Sequence, residues 1–140
     1  MGHNKRMSSS LEIARLENYL SASITGECSL AEAKDHFKQI LDACVEYKLP
    51  SILVDVRSIT VLLPMTTIKR FEFAEFLARA YWEGPARELN GFRLACVGSP
   101  AHVDPGGFGE TVARNRGVNV KITTDMDEAL TWIQAERVGS

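Results

Sequence analysis

Cysteine is scarce: Cys28, Cys44 and Cys96 are the only three, and no two of them form a C-x-x-C pair. An odd, widely spaced set builds neither a disulfide framework nor a zinc site, so a reducing cytoplasm is the expected location and neither metal nor cofactor is expected. Long apolar runs are missing as well. Nothing approaches the ~20 residues that a membrane span requires, and the opening Met1-Gly2-His3-Asn4-Lys5-Arg6 has no signal-peptide apolar core. Charge of one sign is also in short supply. Lys and Arg number 16 against 18 Asp and Glu, a formal net charge of -2, and no block of five like charges occurs. That leaves no electrostatic footprint for nucleic acid or an anionic membrane surface. No G-x-G-x-x-G or P-loop pattern marks a nucleotide cradle.

What is present suits one globular domain. A chain of 140 residues buries roughly two thirds of its surface in a single core. The 45% hydrophobic and 24% charged content excludes disorder, collagen and coiled coil as whole-chain readings. Nothing apolar anchors Met1 to about Ser10, so residues 1–10 read as a flexible tail and 11–137 as the domain.

Ser51-Ile52-Leu53-Val54-Asp55-Val56 is the clearest local signal: consecutive apolar residues in a short run require a strand covered on both faces. Before it, Leu11 to Leu16 and Tyr19 to Thr25 flank a Glu17-Asn18 turn. Leu20, Ala22 and Ile24 alternate with Ser21, Ser23 and Thr25, which suits a hairpin at a less covered sheet edge. Ser29-Leu30-Ala31-Glu32 is a capping box opening a helix whose core face carries Leu30, Ala33, Phe37, Ile40, Leu41 and Cys44. Cys44 is a packed thiol in this reading, and His36, on the flank of that face, a surface histidine. Pro50 ends the helix.

After Leu63-Pro64-Met65 a helix from about Thr66 to Glu83 points Phe73, Phe76, Leu77, Ala80 and Tyr81 to one side. Thr66 and Thr67 are candidate N-caps. Phe71, Ala78 and Trp82 form a second apolar strip, which either tucks under neighbouring loops or meets a partner; aromatics serve both ends equally. Phe92 to Val97 is a strand, Asp104-Pro105 a helix start, Gly117 its stop, and Val118 to Ile122 a further strand. Asp125-Met126-Asp127-Glu128 opens a last helix with Met126, Ala129, Leu130 and Ile133 inward. The order ββαβαβαβα predicts an α/β domain with a mainly parallel five-stranded sheet and an antiparallel N-terminal edge hairpin.

Taken together, Ile52-Leu53-Val54-Asp55-Val56-Arg57, Phe92 to Gly98, Phe108 to Ala113, Arg116 to Val120 and Asp127 to Ile133 resemble the SpoIIAA-like branch of the STAS superfamily. The resemblance covers Leu11 onward and implies a β-α superhelix. It also implies a non-enzymatic regulator of the bacterial cytoplasm, an anti-sigma-factor antagonist that binds a partner kinase and is switched by phosphorylation of a serine in an Asp-Ser-Ser-Gly turn. Here that turn falls at Leu63-Pro64-Met65-Thr66, and the serine is missing. A link by fold to Sec14-type lipid-binding domains makes a hydrophobic ligand the second implication.

Catalysis has one candidate cluster: Ser99, His102 and Asp104 at the C-terminal end of a strand, where open α/β sheets place their sites. Ser99 lies in no G-x-S-x-G elbow, and Asp104 has an N-cap role to fill. The glycines of Gly98-Ser99-Pro100 and Gly106-Gly107 beside a helix start offer backbone amides to an anion. Asp55 stands without the partner acids of a phosphoryl acceptor and reads as a strand-end acid holding nearby amides. The reading is therefore a non-catalytic interaction or regulatory module whose partner surface is Pro64, Met65, Thr66, Thr67, Phe71 and Trp82, used for an unknown protein and for a homodimer. The alternative is a carrier or sensor of a small apolar ligand or lipid, with Ser99, His102, Gly106 and Gly107 as a ligand or anion loop. A hydrolase using Ser99 and His102 comes third.

Overall fold

The computed structural model describes residues 8–60, 66–103 and 106–134. Its strands are β1 (Ser9–Arg15), β2 (Leu20–Glu27), β3 (Ser51–Thr60), β4 (Arg93–Val97) and β5 (Val120–Thr123), and its helices α1 (Leu30–Tyr47), α2 (Thr67–Glu83), α3 (Phe108–Asn115) and α4 (Met126–Gln134). They form one five-stranded sheet in the order β1-β2-β3-β4-β5. Only the β1–β2 pair is antiparallel. The predicted architecture and element order hold.

A sheet whose strands follow chain order has a consequence for its helices. Right-handed crossovers repeated in one direction keep every crossover helix on one face, and α1, α2 and α3 all pack there against Ile52, Val54 and Leu94. These three are at most 1% exposed, each worth about 1.5–3 kcal/mol of burial. Because α4 follows the last strand, it is no crossover. It covers the opposite face, where Leu53, Ala95 and Val97 meet Ala129 and Ile133. This two-sided cover is why β3 reads as an unbroken apolar run.

Four local readings change. β3 continues past Val56 to Thr60, so Asp55 lies within the strand instead of at its end. The β2–β3 register pairs Ser23 with Asp55 but Thr25 with Ser58, a bulge that sets two residues against one. Asp55 accepts the Arg57 N–H at 3.0 Å and grips the Arg57 guanidinium with both carboxylate oxygens. The expected role for this acid, holding a nearby amide, is kept at the bulge.

Second, α3 starts at Phe108 behind Gly107, whose φ is 66°, and not at Asp104-Pro105, which lie outside the described residues. Third, Ala78 is buried at 3% exposure and leaves the strip it was placed on.

Fourth, His36 is 2% exposed where a surface position was expected. The first residue of β1 lies over that flank of α1: Ser9 Oγ sits 2.8 Å from His36 Nε2. Ser29 caps α1 by accepting Glu32 N–H, which is half of the predicted box. The other half is diverted, for the Glu32 carboxylate accepts from Ser9 N–H at 3.0 Å and from Ser9 Oγ. Because the Ser9 hydroxyl donates to Glu32, its Oγ is left to accept a hydrogen bond from His36 Nε2–H. The Nδ1 atom of His36 is buried without a partner.

Candidate functional site

The bulge in β3 shapes a cavity. Side chains alternate along a strand, so Ile59 would fall on the opposite face from Val56; the extra residue restores it to the same face. Ile24, Val56 and Ile59 then line one wall of a cavity of about 190 Å³ between the sheet and α1, α2 and α3. Small residues leave the space open: Ala33, Ala74, Cys96, Gly98, Gly109 and Ala113 all face it. Phe37, Phe73 and Leu77 supply larger apolar walls. Apolar walls of this kind favour an apolar guest over water, because filling the space removes apolar surface from water.

Polar atoms in the lining are few and grouped. Arg70, from the first turn of α2, donates from Nη1 to the main-chain oxygen of His102 at 3.1 Å, and both residues face the cavity. The His102 ring is held by Ser99, with Oγ to Nδ1 3.0 Å. Backbone bonds from His102 N and Val103 N to Ser99 O close the turn beneath them. The site therefore stands at the C-terminal end of β4, where open sheets of this kind expose their loops.

Two cysteines complete the lining. Burial raises the Cys28 thiol above its ordinary value, and enclosure, seconded by the charge of Asp55, pushes Cys96 up to about 12. Cys44, fully buried in α1, is likewise pushed up to about 12 by desolvation. These thiols stay protonated at neutral pH and act as small apolar groups, as expected for Cys44.

Of the predicted ligand loop, Ser99 and His102 do meet, and Gly107 joins His102 in the cavity wall; Gly106 is exposed. The Ser99–His102 contact spans three residues inside one turn, the geometry of local turn closure. No carboxylate among the described residues bonds to the His102 ring, and Asp104 lies outside them. No group of three metal-ligating side chains occurs among the described residues, and no helix there is long and apolar enough to cross a membrane.

The predicted partner surface divides. Thr66 accepts Lys69 N–H at 3.1 Å and caps α2; Pro64 and Met65 lie outside the described residues. Phe71 and Trp82 turn toward α3. Trp82 Nε1–H donates to Arg116 O at 2.7 Å, its ring lies over Gly117, and the Arg116 guanidinium sits 5.3 Å from the centre of the Phe71 ring. Phe71 remains 36% and Trp82 47% exposed, whereas Ile68, one turn before Phe71, is 76% exposed. Sequence reading missed Ile68 and Arg70. Their position at the start of α2 was visible, but which side of that turn faces the sheet depends on how the helix docks.

No protein-family model and no curated protein sequence matches the chain. Among solved structures, an anti-sigma factor antagonist from Mycobacterium paratuberculosis aligns over 91% of this chain and 95% of its own, with a TM-score of 0.57 and 16% identity. The chain shares the fold of that protein. At that identity the likeness is one of fold alone. A protein from Shewanella loihica described as having a SpoIIAA-like fold also aligns, over 95% of this chain and 98% of its own, at 17% identity and a TM-score of 0.49.

Proposed function

We propose that the protein is a non-catalytic regulatory module that binds a protein partner through the start and outer side of α2. The observation that carries this reading is the apolar surface there, Ile68 with Phe71 and Trp82, beside the capped start of the helix. Large aromatic and aliphatic side chains on a rigid helix are the usual anchors of a protein interface. Ile68 is the cleanest probe, because no packing inside the protein depends on so exposed a side chain. Ile68→Ser is expected to leave the melting temperature within 2 °C or so, since exposed substitutions usually change stability by under about 0.5 kcal/mol. It should also abolish any dimer seen by size-exclusion chromatography with light scattering, and weaken partner capture at least tenfold. Unchanged oligomeric state and unchanged partners would remove this surface from consideration.

The cavity favours a second reading, a sensor or carrier of a small apolar ligand. Both readings share α2, whose inner side walls the cavity through Arg70, Phe73, Ala74 and Leu77 while its outer side carries the apolar strip.

A further inference from the structure

We propose that the cavity under α2 binds a single-chain amphiphile with a carboxylate head, of which a medium-chain fatty acid is the simplest form. This rests on the second reading above and adds the head group and size of the ligand. The volume of about 190 Å³ is slightly above the ~150 Å³ that admits benzene to an apolar protein interior. It accommodates one ring or an acyl chain of medium length and is too small for a two-chain lipid.

Charge selects the head. Apart from protonated thiols, Arg70 and His102 are the ionisable groups in the described lining, and no carboxylate stands with them. Arg70 is half-buried and makes no ion pair with a described residue. Its bond to His102 O uses Nη1, which leaves Nε and Nη2 as an edge matching the two oxygens of a carboxylate. The ring of His102, fixed at Nδ1 by Ser99, has Nε2 as its remaining polar atom. A planar anion here would neutralise a guanidinium that is drawn partly out of water without a counter-charge among the described residues, while its chain displaces nothing polar from the described walls.

Isothermal titration of the full chain with straight-chain carboxylates from butanoate to decanoate, and with 1-octanol as the neutral counterpart, tests this directly. Affinity should rise about fourfold per added methylene until the cavity is filled and then level off. Octanoate should bind at least tenfold tighter than octanol. Arg70→Gln should abolish that preference and leave octanol unaffected; Ala74→Leu, which fills the cavity, should weaken both. Circular dichroism establishes that each variant is folded, and should Arg70→Gln not fold, the acid-against-alcohol comparison in the unaltered protein decides alone. Failure of both octanoate and octanol to bind would overturn the cavity reading and this inference with it. Equal binding of acid and alcohol would overturn the carboxylate assignment alone, and so would a folded Arg70→Gln that kept the preference.

Discussion

At the residue scale, Glu32 has the most unexpected role. Its place in a capping box made it local to α1, yet its carboxylate reaches across to the first residue of β1. The Ser9 hydrogen bond, the largest influence on it, holds Glu32 below its ordinary value of 4.5. A carboxylate depressed in the folded state adds stability that is complete above about pH 4.5 and is lost as pH falls through the lower folded value. Glu32→Gln keeps an acceptor for Ser9 but removes the charge. It should cost about 1 kcal/mol at pH 7, and its urea midpoint should fall less steeply than that of the unaltered protein between pH 5 and pH 3. Parallel acid limbs would show that the contact does not set acid stability. Asp125 and Glu128 repeat the arrangement: Asp125 caps α4 through Asp127 N and Glu128 N, while Glu128 turns to the Thr123 hydroxyl. In both boxes the sequence pattern marked the helix start correctly. The partner of Glu32 was hidden, because a strand residue 23 positions away leaves no trace in a local motif.

Elements were more legible than their ends. β3 announced itself by consecutive apolar residues, but the expected strand stopped at Val56, and its extension to Thr60 rests on the pairing of Ser58, Ile59 and Thr60 with Thr25, Gly26 and Glu27 of β2. The cavity was invisible for a related reason: alternation puts Val56 and Ile59 on opposite faces unless a bulge intervenes, and a bulge has no composition of its own here. Its small-residue lining can nevertheless be tested on one element. Gly109 lies in the first turn of α3, and an added Cβ would meet Ile122 Cδ1 at 3.8 Å, an ordinary contact. Gly109→Ala should therefore stabilise the fold by about 0.5–1 kcal/mol through helix propensity and reduced freedom of the unfolded chain. A lowered thermal midpoint would mean that this part of the lining is already filled. Gly26 is the opposite case. With φ at +93° and Ser8 O only 2.6 Å from where a Cβ would stand, it admits no side chain, because β1 crosses too close.

For the molecule as a whole, the sheet separates two cores with different tasks. The larger one, under α1, α2 and α3, contains the cavity; the smaller one, under α4, contains none of its lining residues. Monotonic strand order produces this division, since it sends all crossovers to one face and leaves the other to the terminal helix. Packing under α4 can then be loosened without altering the site beneath α2. Ile133, 3% exposed against Leu53 and Ala95, is the position to use. Ile133→Ala should cost about 2–4 kcal/mol in chemical denaturation. Octanoate affinity, measured where the variant is still fully folded, should stay within twofold of the unaltered protein. Ala74→Leu should do the reverse, blocking the ligand while leaving α4 intact. Because the two sites lie on opposite faces and share no partner, their effects on stability should add to within about 0.5 kcal/mol in the double variant. A larger deviation, or loss of octanoate binding in Ile133→Ala, would mean that the sheet transmits strain between its faces, and the helix that carries the apolar strip would then answer to both.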